Sequence, residues 1–271
     1  MLRLSLRRAL AQLALSFAAV LALLSAPPAA RADTEVDLAL VIAVDISYSM
    51  DVDELALQRQ GFADAFRSPQ VHDAIRRGLV GRIAVVYFEW AGSWDQRVIV
   101  PWSVIDGPDS AGIFAEKVAA QPVRRAQRTS ISGAIDYAMK LLGQSGVDAT
   151  RRVVDISGDG PNNQGRPVTV ARAEALAQGV TINGLPIMLK APGYLDIHDL
   201  DAYYRDCVIG GQGAFVVPAR NREQFPAAIK TKILLEVAGL KPIPSLVRPA
   251  QDGLRTNCMI GENQWRDRMG N

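Results

Sequence analysis

The segment from Val36 to Val44 (VDLALVIAV) constrains the fold most, because it is almost wholly apolar and runs directly into an acid, Asp45. A strand with apolar side chains on both faces must lie inside a sheet that other elements cover on both sides. Further Val- and Ile-rich runs alternate along the chain with amphipathic stretches, which indicates strands that feed helices. The sequence therefore predicts an α/β fold with a doubly wound, mostly parallel sheet of about six strands and helices on both faces.

The same alternation predicts six strands and six helices. Two of the strands are separated only by the short turn Ala91-Gly92-Ser93, so they form a hairpin that gives the sheet one antiparallel edge strand, where Pro101 is tolerated. The strands are predicted at residues 36–44, 82–88, 96–102, 152–156, 181–187 and 213–217. The helices are predicted at residues 53–67, 109–120, 132–142, 167–178, 200–206 and 222–237.

The first 32 residues have the order of a secretory signal peptide. Basic residues up to Arg8 precede an apolar run from Ala9 to Leu24, and small residues follow as far as Ala32. Because the run is shorter than the ~20 residues of a membrane-spanning helix, cleavage after Ala32 is favoured over a retained N-terminal anchor. We therefore expect a periplasmic or secreted bacterial protein with no stable membrane span after cleavage.

Cleavage would leave one domain at residues 33–238 and a C-terminal tail at 239–271, which we expect to be partly ordered at most. The first 32 residues hold four of the 30 basic side chains and no acid, so 26 basic and 28 acidic side chains would remain. This near-neutral balance gives no electrostatic reason to expect nucleic acid as a partner. The short cluster Arg124, Arg125 and Arg128 is interpreted as a solvated loop or helix start.

Cys207 and Cys258 are the only two cysteines. An oxidising compartment would allow them to form one disulfide, which would fix the tail to the domain. Two unpaired buried thiols are the alternative, and the spacing alone does not decide between them.

Polar side chains alternate where the first strand ends, at Asp45, Ser47 and Ser49, and lead into a helix. In a doubly wound sheet this end of the strand opens onto the crevice where ligands bind. One carboxylate and two hydroxyls are hard oxygen ligands, which suit Mg²⁺ or a similar ion. Taken alone the pattern is weak, because Asp and Ser also cap helices.

Two later segments offer further oxygen ligands. Thr129 precedes another predicted helix, and Asp159-Gly160 follows the fourth strand. These segments converge on the first if strands one and four are neighbours in the sheet. Asn162 and Asn163 either line the same crevice or are turn residues, which Asn favours.

Together, Asp-x-Ser-x-Ser, a distant Thr and a later Asp-Gly resemble the metal-ion-dependent adhesion site (MIDAS) of von Willebrand factor A (vWA) domains, over roughly residues 34–238. The resemblance implies that Ser47, Ser49 and Thr129 hold the ion directly or through water, and that Asp45 and Asp159 bind it directly or support its ligands. It also implies Mg²⁺, Mn²⁺ or Ca²⁺ as the ion, with one coordination position left for an acidic side chain of a protein partner.

The chain resembles more narrowly a bacterial family of exported proteins with this domain, DUF1194. The segments that carry this likeness are RRVVDISGDGPNNQG at 151–165, TINGLPI at 181–187 and LDAYYRDCVIGGQGAFVVPA at 200–219. One departure from the vWA pattern is Asp155, which stands in a strand that is usually apolar. Asp155 either supports the ion ligands or lies on the surface, and we expect it on the surface. Glu89 and Trp90 end the second strand near the crevice. They either contact a partner or face inward, and we expect Trp90 in the core.

A binding module accounts for all three polar segments, and we predict no catalytic residue. The alternative is a metal-dependent, phosphatase-like hydrolase of the haloacid dehalogenase type that uses Asp45, but this chemistry needs a second acid where Ser47 stands. A serine hydrolase would need a Gly-x-Ser-x-Gly elbow, and dinucleotide binding would need a Gly-rich turn after the first strand. A scaffold that has lost its ion is disfavoured, because all five oxygen ligands are present. The sequence thus predicts a non-enzymatic module for protein–protein interaction.

Overall fold

The computed structural model describes residues 33–190, 193, 197–239, 248–249 and 256–270. The expected signal peptide at residues 1–32 lies outside the described residues. Within the described ranges, no helix is long and apolar enough to cross a membrane.

A seven-stranded sheet forms the centre of the fold, in the order β3-β2-β1-β4-β5-β6-β7. The central strands are parallel, whereas β3 and β7 run antiparallel to their neighbours at the two edges. The strands are β1 (Thr34–Asp45), β2 (Ile83–Trp90), β3 (Gln96–Ile105), β4 (Val147–Gly158), β5 (Thr181–Pro186), β6 (Phe215–Val216) and β7 (Arg248–Pro249). The predicted α/β class and the β2–β3 hairpin are confirmed. The two-residue strand β7 was not predicted, and it adds a second antiparallel edge.

The described residues form eight α-helices. They are α1 (Val52–Arg67), α2 (Pro69–Arg76), α3 (Pro108–Ala119), α4 (Ile131–Gly143), α5 (Val168–Ala177), α6 (Leu200–Tyr203), α7 (Phe225–Ala238) and α8 (Ile260–Met269), and α6 continues as a π-helical turn at Tyr204–Val208. Helix α2 was not predicted. It begins directly after α1 because proline is favoured in the first turn of a helix. Helix α8 was not predicted either, and it lies within the predicted tail at residues 239–271.

Strand β1 is buried on both faces, as its apolar composition predicts. Leu40 and Ile42 pack with α1, α2, α3 and α7 on one face. Val41 and Ala43 pack with α4, α5 and the π-helical turn on the other. Full burial of a large apolar side chain stabilises a fold by about 1.5–3 kcal/mol, so this strand anchors both halves of the core.

The position of β1 also creates the crevice. β1 pairs in parallel with β2 on one side and with β4 on the other, so the strand order reverses at this point. In doubly wound sheets ligands bind at such a reversal, outside the carboxyl ends of the strands. Here these ends are Asp45 of β1 and Gly158 of β4.

Cys207 and Cys258 form a disulfide, with their Cα atoms 5.5 Å apart. Cys207 belongs to the π-helical turn and is fully buried, whereas Cys258 precedes α8. The disulfide therefore fixes the start of α8 to the domain.

Asp155 is fully buried, and the expectation that it lies on the surface is wrong. Its carboxylate lies 2.8 Å from Nζ of Lys232, a residue of α7. The same Nζ donates to Glu236 at 2.7 Å. Asn183 donates to the second oxygen of Glu236 at 2.8 Å. A buried charge needs partners of this kind, and here α7 supplies them.

The other acid considered near the crevice is also internal. Glu89 is buried and accepts a hydrogen bond from Arg59. Arg124 lies 3.4 Å from the second oxygen of Glu89 and 2.8 Å from Asp95, so it is held by charges and is not a freely solvated residue. Trp90 is fully buried, which confirms its predicted place in the core.

Candidate metal-binding site

Four of the five predicted ligands are linked by hydrogen bonds at the end of β1. The backbone N–H of Ser47 donates to Asp45 Oδ1 at 2.7 Å, which folds the loop back on the carboxylate. The hydroxyls of Ser47 and Ser49 lie 2.9 Å apart. Ser49 in turn donates to Asp159 Oδ1 at 2.6 Å. The segments after β1 and β4 therefore meet, as expected for neighbouring parallel strands.

Thr129, on the loop before α4, lies beside this cluster. Its N–H donates to Asn163 Oδ1 at 3.0 Å, and the N–H of Asn163 donates to the Thr129 carbonyl at 2.8 Å. Asn162 is buried, and its side-chain oxygen accepts from Ser132 at 2.9 Å. Thr129 lines the same cleft as Ser47, and so does Asn163. Asn163 thus joins the loop after β4 to the loop before α4, and Asn162 joins it to the first turn of α4.

The cluster brings two carboxylates close together, and one of them is buried. Asp45 is fully buried, and its Oδ2 has no hydrogen-bond partner among the described residues. Burial and the neighbouring carboxylate of Asp159 raise the pKa of Asp45 well above its usual range. The buried Tyr204 hydroxyl also lacks a partner, and burial, Asp45 and Asp159 raise its pKa. A buried polar atom without a partner costs about 1–3 kcal/mol, which a bound cation would offset.

Two carboxylates and three hydroxyls are hard oxygen donors, and they fit an ion of the Mg²⁺ type that keeps part of its water shell. No group of three or more His, Cys, Asp or Glu side chains that could hold a metal occurs within the part of the chain that the structure describes. Because the five side chains of the cluster offer oxygen and neither sulfur nor imidazole, its composition favours hard cations.

The family model described as "Protein of unknown function (DUF1194)" matches residues 35–241. The chain belongs to the DUF1194 family. No curated protein matches this chain.

Solved structures of vWA domains share the fold of this DUF1194 protein. Proximal thread matrix protein 1 from the mussel byssus, solved with a zinc-occupied MIDAS motif, has a TM-score of 0.51 and 17% identity, with 75% of this chain and 49% of the mussel chain covered. The pilus adhesin SpaC of Lactobacillus rhamnosus GG has a TM-score of 0.56 and 11% identity, with 74% of this chain and 31% of the SpaC chain covered. The vWF domain of the type V pili tip protein Mfa5 of Porphyromonas gingivalis has a TM-score of 0.53 and 11% identity, with 82% of this chain and 98% of the Mfa5 domain covered. This chain thus spans about half of the mussel protein.

A glycine lets β4 approach the cluster. A Cβ atom on Gly158 would lie 2.8 Å from Asp45 Oδ2 and 2.9 Å from the Tyr204 hydroxyl. Both neighbours are fully buried and cannot move aside without disturbing the core. The glycine of the DUF1194 segment Ser157-Gly158-Asp159 is therefore required by the close approach of β4 to Asp45.

We expect Gly158→Ala to lower the free energy of unfolding by about 1–3 kcal/mol, the usual cost of overpacking. Gly112→Ala in α3 is a matched control, because its added Cβ meets no neighbour within 4 Å. Removing a helix glycine stabilises by about 0.5–1 kcal/mol. Urea denaturation measures both variants, and equal midpoints for Gly158→Ala and the wild type would contradict the close approach.

An open cleft of about 880 Å³ extends from the cluster to α8. Thr129 and the exposed Tyr48 lie on one side, and Trp265 and Arg268 lie on the other. The guanidinium of Arg128 lies 3.7 Å from the Trp265 ring centroid. Burial, and then the charge of Arg268, lower the pKa of Arg128. Arg128 is thus part of a cleft wall and not only of a solvated loop.

Helix α8 is the part of the site that the sequence did not reveal. Glu262 accepts from the Asn162 side chain at 2.7 Å. A Cβ on Gly261 would lie 2.2 Å from the Asn162 carbonyl oxygen, so the helix packs directly against the loop after β4. The DUF1194 match ends before this helix. Cys258, two residues before α8, was the one sequence signal that tied this region to the domain.

Proposed function

We propose that this protein is a metal-ion-dependent binding module. In it, Asp45, Ser47, Ser49, Thr129 and Asp159 hold Mg²⁺, or Mn²⁺ or Ca²⁺, and the ion bridges to an acidic side chain of a protein partner. The observation that carries the proposal is the linked cluster of oxygens around a buried carboxylate oxygen without a partner. The ion supplies positive charge at Asp45 Oδ2, for which the described residues provide no hydrogen-bond partner.

The solved structures with this fold support a role in adhesion. The mussel matrix protein has a zinc-occupied MIDAS motif, SpaC is a pilus adhesin, and Mfa5 is a pili tip protein. In line with the signal expected at residues 1–32, we propose that the protein acts in the periplasm or outside the cell.

The same site argues against the hydrolase alternative. A nucleophilic carboxylate must reach its substrate, whereas Asp45 is fully buried. Ser47 also occupies the position where a phosphatase would need its general acid. Asp45-dependent turnover of a generic phosphate ester would favour the hydrolase.

We expect the wild-type chain to bind Mg²⁺ or Mn²⁺ in calorimetry, and Asp45→Asn and Asp159→Asn to lose this binding. Each variant keeps the size of the side chain while removing half of the negative charge of the site. The ion should also raise the thermal midpoint, because a ligand at a hundred times its Kd stabilises by about 2.7 kcal/mol.

Asp53→Asn is the matched control, since Asp53 is an exposed acid in the first turn of α1. It should bind the ion like the wild type. Undiminished binding in both Asp45→Asn and Asp159→Asn would overturn the assignment of the site.

A further inference from the structure

The cleft beside the oxygen cluster carries positive charge that the described residues do not neutralise. The guanidinium groups of Arg128 and Arg268 lie 3.7 and 5.4 Å from the ring centroid of Trp265. In the described part of the chain, no acidic side chain forms a salt bridge with either arginine. By contrast, Arg59 pairs with Glu89 in the interior. Two cations close to one ring repel each other, so the arrangement favours a nearby anion.

The backbone at Arg128 is also unusual. Arg128 has a φ of 74°, and it is the sole residue other than glycine with positive φ in the described ranges. Such a conformation costs on the order of 1–3 kcal/mol and occurs mainly at binding and catalytic sites. The hydrogen bonds between Thr129 and Asn163 hold this loop in place. The strained residue thus lies directly beside the proposed ion ligand Thr129.

The other wall of the cleft belongs to an anchored helix. The Cys207–Cys258 disulfide fixes the chain before α8, and Glu262 is bonded to Asn162. Trp265 and Arg268 therefore belong to a helix that is anchored to the domain.

We propose that Arg128, Trp265 and Arg268 form an anion subsite beside the ion, and that the ligand is an acidic protein segment with two carboxylates. The first carboxylate binds the ion and the second binds the two arginines. The role of the first carboxylate rests on the proposed function. A guanidinium binds a carboxylate through paired, charge-assisted hydrogen bonds. The ring of Tyr48, which is 53% exposed, and that of Trp265 offer apolar surface to the residues between the two acids.

The test uses capped glycine-based peptides with one fixed glutamate and a second glutamate at successive later positions. Each peptide is compared with a counterpart that has glutamine at the second position, and binding is measured by calorimetry in millimolar Mg²⁺. We expect at least one two-glutamate peptide to bind about tenfold more tightly than its counterpart, since hydrogen bonds to charged groups contribute on this scale.

Arg268→Gln should remove this difference and leave the binding of one-glutamate peptides unchanged. Arg268 is exposed, so the variant has no core to disturb. Arg266→Gln on the same helix is the matched control, because Arg266 is exposed and does not line the cleft. It should keep the tenfold difference.

The outcomes separate the two proposals. If one-glutamate peptides bind only with Mg²⁺ and the second glutamate adds nothing at any position, the subsite is overturned and the ion-dependent module stands. A tenfold difference that persists in Arg268→Gln overturns the subsite as well. If no peptide binds in a Mg²⁺-dependent way, the proposed function fails, and the subsite fails with it.

Discussion

Lys232→Met is expected to lower the free energy of unfolding by about 3–5 kcal/mol, the cost of removing one partner from a buried ion cluster. Lys232 is 1% exposed and lies between the carboxylates of Asp155 and Glu236. Nζ of Lys232 lies 2.8 Å from the Asp155 carboxylate, so Lys232 is the partner that compensates this buried charge. Urea denaturation at neutral pH measures the loss.

The loss should depend on pH. Burial raises the pKa of Asp155 to about 6, even though Lys232 acts in the opposite direction. The unfolded chain has a value of about 3.9. Between these values the native state holds a proton that the unfolded state has released, so this group lowers stability as the pH rises through that window. Above about pH 6 Asp155 is charged and needs Lys232, and the cost of Lys232→Met should therefore shrink on acidification.

Two further variants test the origin of the effect. Lys230→Met removes an exposed lysine from the same helix, and we expect a change within about 0.5 kcal/mol. Asp155→Asn combined with Lys232→Met should recover part of the lost stability, because the buried charge that Lys232 compensated is then gone. A loss in Lys232→Met no larger than that in Lys230→Met would contradict the cluster's role.

The sequence predicted the centre of the fold because local patterns determine it. An apolar run such as 36–44 is stable only between two covered faces, and a short turn such as 91–93 permits only a hairpin. Once β1 and β4 are neighbours, their carboxyl ends must meet, and Asp45 therefore comes close to Asp159. The burial of β1 and the hairpin follow from local patterns alone, whereas the pairing of β1 with β4 joins distant segments and was a condition of the predicted site.

The burial of Asp155 could not be predicted in this way. An acid in an otherwise apolar strand is costly unless a partner faces it, and that partner, Lys232, lies far along the chain on α7. Lys232 itself looks like an ordinary helix lysine. The pairing becomes evident only when α7 packs against the sheet.

Helix α8 escaped prediction for a different reason. Its sequence, IGENQWRDRM, has no apolar stripe, and only Gly261 is buried. The helix is held by the disulfide, by the Glu262–Asn162 hydrogen bond and by the close approach of Gly261. Hydrophobic periodicity does not report interactions of these kinds, so the wall formed by Trp265 remained hidden.

The disulfide that holds α8 should have the second large effect. Cys207 and Cys258 are separated by 51 residues, and closing a loop of this size restricts the unfolded chain by about 4 kcal/mol in the chain-entropy model. We therefore expect the double variant Cys207→Ala/Cys258→Ala to unfold at a clearly lower urea concentration than the oxidised wild type. Reductant should lower the wild-type midpoint and leave that of the double variant unchanged.

The double variant should also separate the two halves of the cleft. All five proposed ion ligands lie between residues 45 and 159, on loops that β1, β4 and α4 position, so Mg²⁺ binding should persist. Trp265 and Arg268 depend on the anchored α8, so the preference for a second carboxylate should weaken. Calorimetry with the paired peptides measures both properties on one sample. An unchanged midpoint after reduction of the wild type would show that the disulfide does not stabilise the fold, and an undiminished peptide preference in the double variant would show that α8 holds its place without it.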